Sequence, residues 1–399
     1  MAARGDSVMD TDAAKQRARE GVTAKADELI EVSRQIHSNP ELAMEERQAA
    51  ALLAEQLEEH GFQVERNVNG LETAFLASWG EGPVTIAYLC EYDALPGIGH
   101  ACGHNLIATA GLGAAYGLKA ALSPSQVRLL VLGTPGEEGK GGKAIMLERG
   151  AFEGVDVALM AHPSPVDVDM PPMYGVQQAD VVYTGQSAHA SFAPEMGVNA
   201  LDGLVLAYQG IAQLRQHIRR DSRIHGIITD GGSASNVVPD RAAGTFLVRA
   251  LRPAYLEELK EKVERCFEAG AAASGATLDI SWDAYPYAPL RSNTALAAAY
   301  RANAESVGRT FIDVKLDSTG SSDMGNVSQA IPSIHPMFGV GAMAFNHTPA
   351  FTEVCATDAA HGAMVQVAQA LAMTGVEVAL EPDLLQRVKE EFASGRGTP

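Results

Sequence analysis

The sequence is poor in cysteine, in basic side chains and in aromatic rings. Four cysteines in 399 residues cannot build the disulfide framework that holds small secreted domains together. Cys90, Cys266 and Cys355 read as reduced, mostly buried thiols, and only Cys102 has a histidine neighbour. Lysine and arginine number 30 against 49 acidic residues, a formal charge of -19. So little cationic surface excludes nucleic acid and anionic membranes as partners and points to a small molecule. Met1 to Asp12 is polar with no apolar stretch behind it. Neither a signal peptide nor a membrane span is expected, and the cytoplasm is the default compartment. Internal repeats, low-complexity tracts and long charge runs are missing as well.

What is present is ordinary for a globular chain: 46% hydrophobic and 20% charged residues, over a length that allows two domains. Asp27 to Gln35 and Glu46 to His60 have helical spacing, broken at Asn39-Pro40-Glu41. Short apolar runs then alternate with helical ones. Pro83 to Cys90, Val127 to Gly133 and Val155 to Ala161 read as buried strands. Asn105 to Leu122 and Gly142 to Arg149 read as helices. This is an α/β domain with a mostly parallel sheet and helices on both faces. Asp93 follows the first strand, Glu137 and Glu138 the second, His162 the third. Ligand sites in open α/β sheets gather at the carboxyl ends of strands, where all of these groups fall.

From Asp180 the rhythm changes to strand, helix, strand, strand, helix, strand, ending at Tyr285. That order predicts an inserted ferredoxin-like (βαββαβ) small domain over 179–287, with 1–178 and 288–399 forming the larger domain. His347 is expected in a loop before a helix that starts near Thr357.

Several of these side chains are the kinds that bind metal. Cys102 and His104, within Gly99-His100-Ala101-Cys102-Gly103-His104-Asn105, are a thiolate and an imidazole that can close on one side of an ion. The adjacent Glu137 and Glu138 offer one carboxylate to a metal and one to a water.

The motifs together resemble a known family. Glu91-Tyr92-Asp93-Ala94-Leu95-Pro96, the Cys102-Gly103-His104 motif, Thr134-Pro135-Gly136-Glu137-Glu138-Gly139, Ala161-His162-Pro163, Gly185-Gln186-Ser187-Ala188-His189-Ala190, Gly231 to Pro239 and Phe345-Asn346-His347-Thr348 are similar to the amidohydrolase branch of metallopeptidase family M-20. Within it the chain most resembles the aminobenzoyl-glutamate hydrolase and β-alanyl-lysine dipeptidase group, which carries His-Asn where other members carry His-Asp. Glu91 stands where the carboxypeptidase and desuccinylase members have their first metal-binding histidine, and Cys102 is the branch's substitute ligand.

The resemblance implies a dinuclear metal-dependent hydrolase that cleaves an amide bond of an N-acyl amino acid or dipeptide-like molecule. Cys102, His104, Glu138, His162 and His347 would hold two divalent ions, zinc or manganese. Glu137 would be the general base and Asp93 would orient a ligand. His189 would reach the active site of a partner subunit in a homodimer, and Asn236 and Arg249 would contact a substrate carboxylate. Blander roles stay open. Cys102 can be a buried structural thiol, Glu137 and Glu138 an acidic pair at a helix start, Asp93 and Asn236 turn residues, Arg249 an ion-pair partner, and His189 a polar loop residue. Two other functions remain beside the first: a thiol-dependent amidase using Cys102, and a catalytically silent binding protein on the same fold.

Overall fold

The computed structural model describes residues 10–313 and 320–395. Met1 to Met9 of the polar amino-terminal stretch lie outside the described residues. The described chain forms two compact units, one of residues 10–171, 291–313 and 326–395, the other of 172–290 and 320–325.

In chain order the strands are β1 (Gln63–Arg66), β2 (Phe75–Trp79), β3 (Thr85–Cys90), β4 (Arg128–Gly133), β5 (Val157–Leu159) and β6 (His162–Ser164). Next come β7 (Gly175–Thr184), β8 (Ser222–Asp230), β9 (Arg241–Ala250) and β10 (Thr277–Trp282) in the second unit, then β11 (Ser333–Ile334) and β12 (Met337–Gly339) back in the first. The main sheet of the first unit has the order β1-β2-β4-β3-β5-β11. It is parallel from β4 through β3 and β5 to β11, and antiparallel where β1 and β2 are added. Every residue of β3, Thr-Ile-Ala-Tyr-Leu-Cys, is buried, as a central parallel strand covered on both faces requires. Sequence periodicity did not indicate β1, because Gln-Val-Glu-Arg is an edge strand with little to bury.

The helix His104–Ala121 is buried along nearly its whole length. Its small residues allow this. A Cβ added at Gly117 would stand 2.8 Å from both the Ala18 carbonyl and the Ala372 Cβ, so the helices Thr11–Thr23 and Asp358–Leu380 pack directly against its backbone. The Thr11–Thr23 helix was not expected from the sequence. It buries only Ala14, Ala18 and Val22, a stripe of small residues too thin to stand out among its charges. Asp358–Leu380 is long and apolar enough to cross a bilayer by length and composition. It is mostly buried inside the first unit, and an all-round apolar surface is what such a core helix needs.

The second unit runs β7, helix Ala200–Leu214, β8, β9, helix Pro253–Ser274, β10, with the antiparallel order β10-β7-β9-β8. This is the ferredoxin-like split unit. Along β7 buried and more exposed residues alternate, the mark of a sheet with one face in a core. Residues of β7 and β9 share that core with Leu204, Ala207, Leu259, Val263 and Phe267 of the two helices. The unit starts at Pro172, ahead of the expected 179, because β7 begins at Gly175 and Val176 bridges to Tyr287.

Candidate active site

In the first unit β4, β3 and β5 lie side by side, and the chain leaves all three at the same edge. Glu91 and Asp93 follow β3, Glu137 and Glu138 follow β4, and His162 follows β5 at the start of β6. Register fixes β6 in turn, with His162 opposite Met337 of β12. The parallel topology thus gathers candidate groups from three separate stretches of the sequence.

Cys102 and His104 enter from the turn before the helix His104–Ala121. Gly103 between them has a φ of 75°. A Cβ there would lie 2.5 Å from Pro163 Cγ and 3.0 Å from Cys355 Sγ. Both the backbone conformation and the space therefore demand glycine, and its neighbours are aimed as a consequence. His347 comes from far along the chain. Its φ of 64° is left-handed, a strain of about 1–3 kcal/mol for a residue with a side chain. Its N–H donates to the Ala101 carbonyl at 2.8 Å, which ties this loop to the Cys102 turn.

Asp93 connects the parts. Its Oδ1 lies 3.0 Å from His104 Nδ1, and its Oδ2 accepts the Glu138 backbone N–H at 2.9 Å. His162 Nδ1 lies 2.8 Å from the Pro163 carbonyl. Both Nδ1 partners are acceptors, so each ring keeps a proton there and turns Nε2 into the shared space. His162 Nε2 is 3.4 Å from Cys102 Sγ, and His347 Nε2 is 3.3 Å from Glu138 Oε1. Donor atoms of Cys102, His104 and His162 lie within 4.8 Å of one another, as do those of Cys102, Glu138 and His347, so two triads share the sulfur. His104, Glu137 and Glu138 form a third such group.

The electrostatics are those of ligands competing for protons. Burial pushes the Cys102 thiol well above its usual range, with His104 opposing. Burial works against the His104 cation, yet Glu91, Cys102 and Asp93 hold its pKa well up. At Glu138 burial is outweighed by His347 and His104, and the carboxyl is held down. Burial lowers His162. His347 is raised, mainly by its bond to Glu138. The buried atoms His104 Nε2 and Glu91 Oε1 have no hydrogen-bond partner among the described residues, and Glu138 Oε1 has only the His347 ring, 3.3 Å away. Orphaned acceptors and an imidazole nitrogen converging with a thiol fit a divalent cation, which replaces the protons and satisfies the lone pairs.

Beneath this cluster Glu91 is paired with a residue that no motif announces. Lys143 Nζ donates to Glu91 Oε2 at 2.5 Å, and both side chains are fully buried. Glu91 Oε1 is 3.4 Å from His104 Nε2. His335, which belongs to no motif, packs edge-on against His162 with ring centroids 5.5 Å apart. The only sequence hint for Lys143 is a cation inside the apolar helix Gly142–Glu148.

His189, Asn236 and Arg249 lie in the second unit. His189 is exposed and bridges antiparallel to Val237, while the Ala190 N–H donates to the Asn236 carbonyl at 3.0 Å. Arg249 is half-buried on β9. Its Nε donates to His225 Nε2 at 3.1 Å and its Nη1 to Ser321 Oγ at 2.8 Å. No carboxylate pairs with it among the described residues, and burial lowers its pKa. His225 and Ser321 are further neighbours that carry no signal in the sequence.

A family model described as Peptidase family M20/M25/M40 matches residues 87–373. The chain belongs to that family. It is accordingly a hydrolase. It is 42% identical over 404 residues to the Xaa-Arg dipeptidase of Mus musculus, covering 97% of this chain and 94% of that protein. With a p-aminobenzoyl-glutamate hydrolase polypeptide of Escherichia coli it shares 29% identity over 93% of each chain. The fold matches a Bacillus subtilis protein described as a dinuclear metal binding peptidase, with a TM-score of 0.69 and 23% identity over 89% of this chain and 99% of that one.

The buried pair gives a stability prediction. Lys143→Met strands the Glu91 charge and is expected to cost about 3–5 kcal/mol in urea unfolding. Lys143→Met combined with Glu91→Gln should recover part of that loss. A double variant as unstable as the single one would show that the charge pair is not what the lysine supplies.

Proposed function

We propose that this chain hydrolyses the amide bond of a dipeptide or N-acyl amino acid at a centre of two divalent ions. The observation that carries this reading is the pair of donor triads sharing Cys102. Cys102, His104 and His162 would hold one ion, and Cys102, Glu138 and His347 the other. Zinc or manganese, once bound, would polarise the scissile carbonyl and lower the pKa of the attacking water. Glu137, beside the ligand Glu138 and close to His104, takes the proton from that water and passes it to the leaving amine. Asp93 orients His104 and the Glu138 backbone. Burial of Cys102 and its raised pKa weigh against a nucleophilic thiol.

The substrate class to test first is a dipeptide with a cationic carboxy-terminal residue. The name of the 42% identical relative suggests it, and a formal charge of -19 would attract such a molecule. Arg249, a guanidinium without an acidic partner among the described residues, suits the substrate carboxylate, with Asn236 as a second contact.

A homodimer is part of the reading. β8 is an edge strand carrying exposed Ile227 and Ile228, and the neighbouring helix Ala200–Leu214 exposes Val205 and Leu206. Such an edge favours pairing with a second copy, and His189 then acts as an oxyanion donor to the partner's site.

Chelation is expected to abolish dipeptidase activity reversibly, with about two ions bound per chain by elemental analysis. Activity that survives prolonged chelation in a chain without stoichiometric metal would sink the reading. Glu137→Gln should lower kcat by about 10²-fold or more at near-normal metal content, whereas Glu138→Ala should lose metal. The reverse pattern would exchange the two roles. Finally, mixing inactive His189→Ala subunits with inactive Glu137→Ala subunits should restore about half the wild-type activity per heterodimer, because both lesions fall in one site. Exchange demonstrated by mass spectrometry without recovery would place His189 in its own subunit's site or in none.

A further inference from the structure

Glu46 precedes the helix Arg47–Glu59 and is fully buried. Its Oε1 accepts the Gly136 N–H at 2.8 Å and the Met44 N–H at 2.9 Å, and its Oε2 accepts the Thr73 hydroxyl at 2.8 Å. These donors are neutral, and no cation among the described residues neutralises the carboxyl. Burial, and then the charge of Asp93, raise its pKa. An acid kept in so costly a place for three neutral bonds acts through geometry.

The geometry concerns the turn that carries Glu137. The Gly136 N–H is held by Glu46, and the Glu138 N–H is held by Asp93. Glu137 is the one residue between these two anchored amides. Gly136 is in the left-handed region with φ 66°, and the Gly139 N–H bonds back to the Glu137 carbonyl at 2.7 Å. Met44, itself left-handed at φ 68°, donates its N–H to the same Glu46 oxygen, and its Cε lies within 2.8 Å of where a Gly136 Cβ would be. A segment of the amino-terminal part of the chain is therefore locked by one carboxylate to the loop after β4.

We propose that Glu46 is a positioning residue for the base Glu137: it fixes the Gly136 end of the turn, as Asp93 fixes the Glu138 end. The proposal rests on the reading of Glu137 as general base. A general base displaced by about 1 Å can cost up to 10²-fold in rate, without loss of the ions held by other residues.

The substitutions separate geometry from mere burial. Glu46→Gln keeps an oxygen for both backbone amides and turns its NH₂ towards Thr73 Oγ, which can accept. Glu46→Asp is one methylene too short to reach Gly136. The full chain loaded with metal is assayed for kcat, KM and metal content. Glu46→Asp and Glu46→Ala are expected to lower kcat by roughly 10- to 100-fold with KM and metal content near wild type, and Glu46→Gln to return most of the rate. In a Glu137→Gln background the same Glu46 changes should cost nothing further, since a residue acting through the base has nothing left to position. If alanine prevents folding, the aspartate and glutamine pair decides. Equal losses in both backgrounds, loss of metal in step with loss of rate, or a glutamine variant as impaired as aspartate would each overturn the proposal. Glu137→Gln with wild-type kcat would instead remove the base assignment, and that is read before any Glu46 variant is made.

Discussion

The site depends on one carboxylate making two bonds. Asp93 is nearly excluded from solvent, so its oxygens must find protein donors. One takes the His104 ring and the other the Glu138 backbone, from a helix start and a strand exit that are well separated in sequence. That bridge ties the imidazole and the segment carrying the Glu138 carboxylate to one point. Adjacent parallel strands stand about 4.8 Å apart, so residues just beyond β4, β3 and β5 arrive within reach of one another. Strand spacing provides the approach, and Asp93 provides the alignment.

Much of the fold was legible because its signals are local. The βαββαβ order of the second unit could be read from alternation and helical spacing, and the apolar run of β3 from its length. The Thr11–Thr23 helix was hidden because Ala14, Ala18 and Val22 bury so little area. β1 was hidden because an edge strand need not be apolar. The same division applies to the site. Glu137, Glu138 and His162 announce themselves by chemistry at strand ends and Cys102 and His104 by a thiol and an imidazole two residues apart, and the structure brings Cys102, His104, Glu138, His162 and His347 together. Glu46 and Lys143 gave no comparable signal. Their partners are a backbone amide 90 residues away and a carboxylate 52 residues away, contacts that no periodicity encodes.

The cluster is also a place where stability is given up. His347 sits in left-handed backbone, the buried carboxylates of Glu46 and Asp93 repel each other, and several buried polar atoms lack hydrogen-bond partners among the described residues. Each feature is unfavourable alone. A bound cation would reverse the balance by replacing protons on Cys102 and the imidazoles and by filling the orphaned lone pairs. The core beneath is correspondingly tight, with the helix His104–Ala121 wedged against its neighbours through small residues. Strain at the strand ends is tolerable because the packing under them is not adjustable.

Glu91 shows how a departure from a family pattern can be absorbed. A carboxylate at the end of a fully buried strand would be prohibitive by itself. Lys143 reaches it from the helix Gly142–Glu148, and the pair turns one oxygen to the ammonium and leaves the other 3.4 Å from His104 Nε2. The two residues are therefore electrostatically coupled. The ammonium takes up one face of Glu91, while the Cys102 sulfur lies where both donor triads meet. A histidine at position 91 would take the carboxylate away from the Lys143 ammonium and add an imidazole beside His104. In this chain the acid at 91 is thus bound to the ammonium at 143, while the thiol at 102 is the atom on which both donor triads converge.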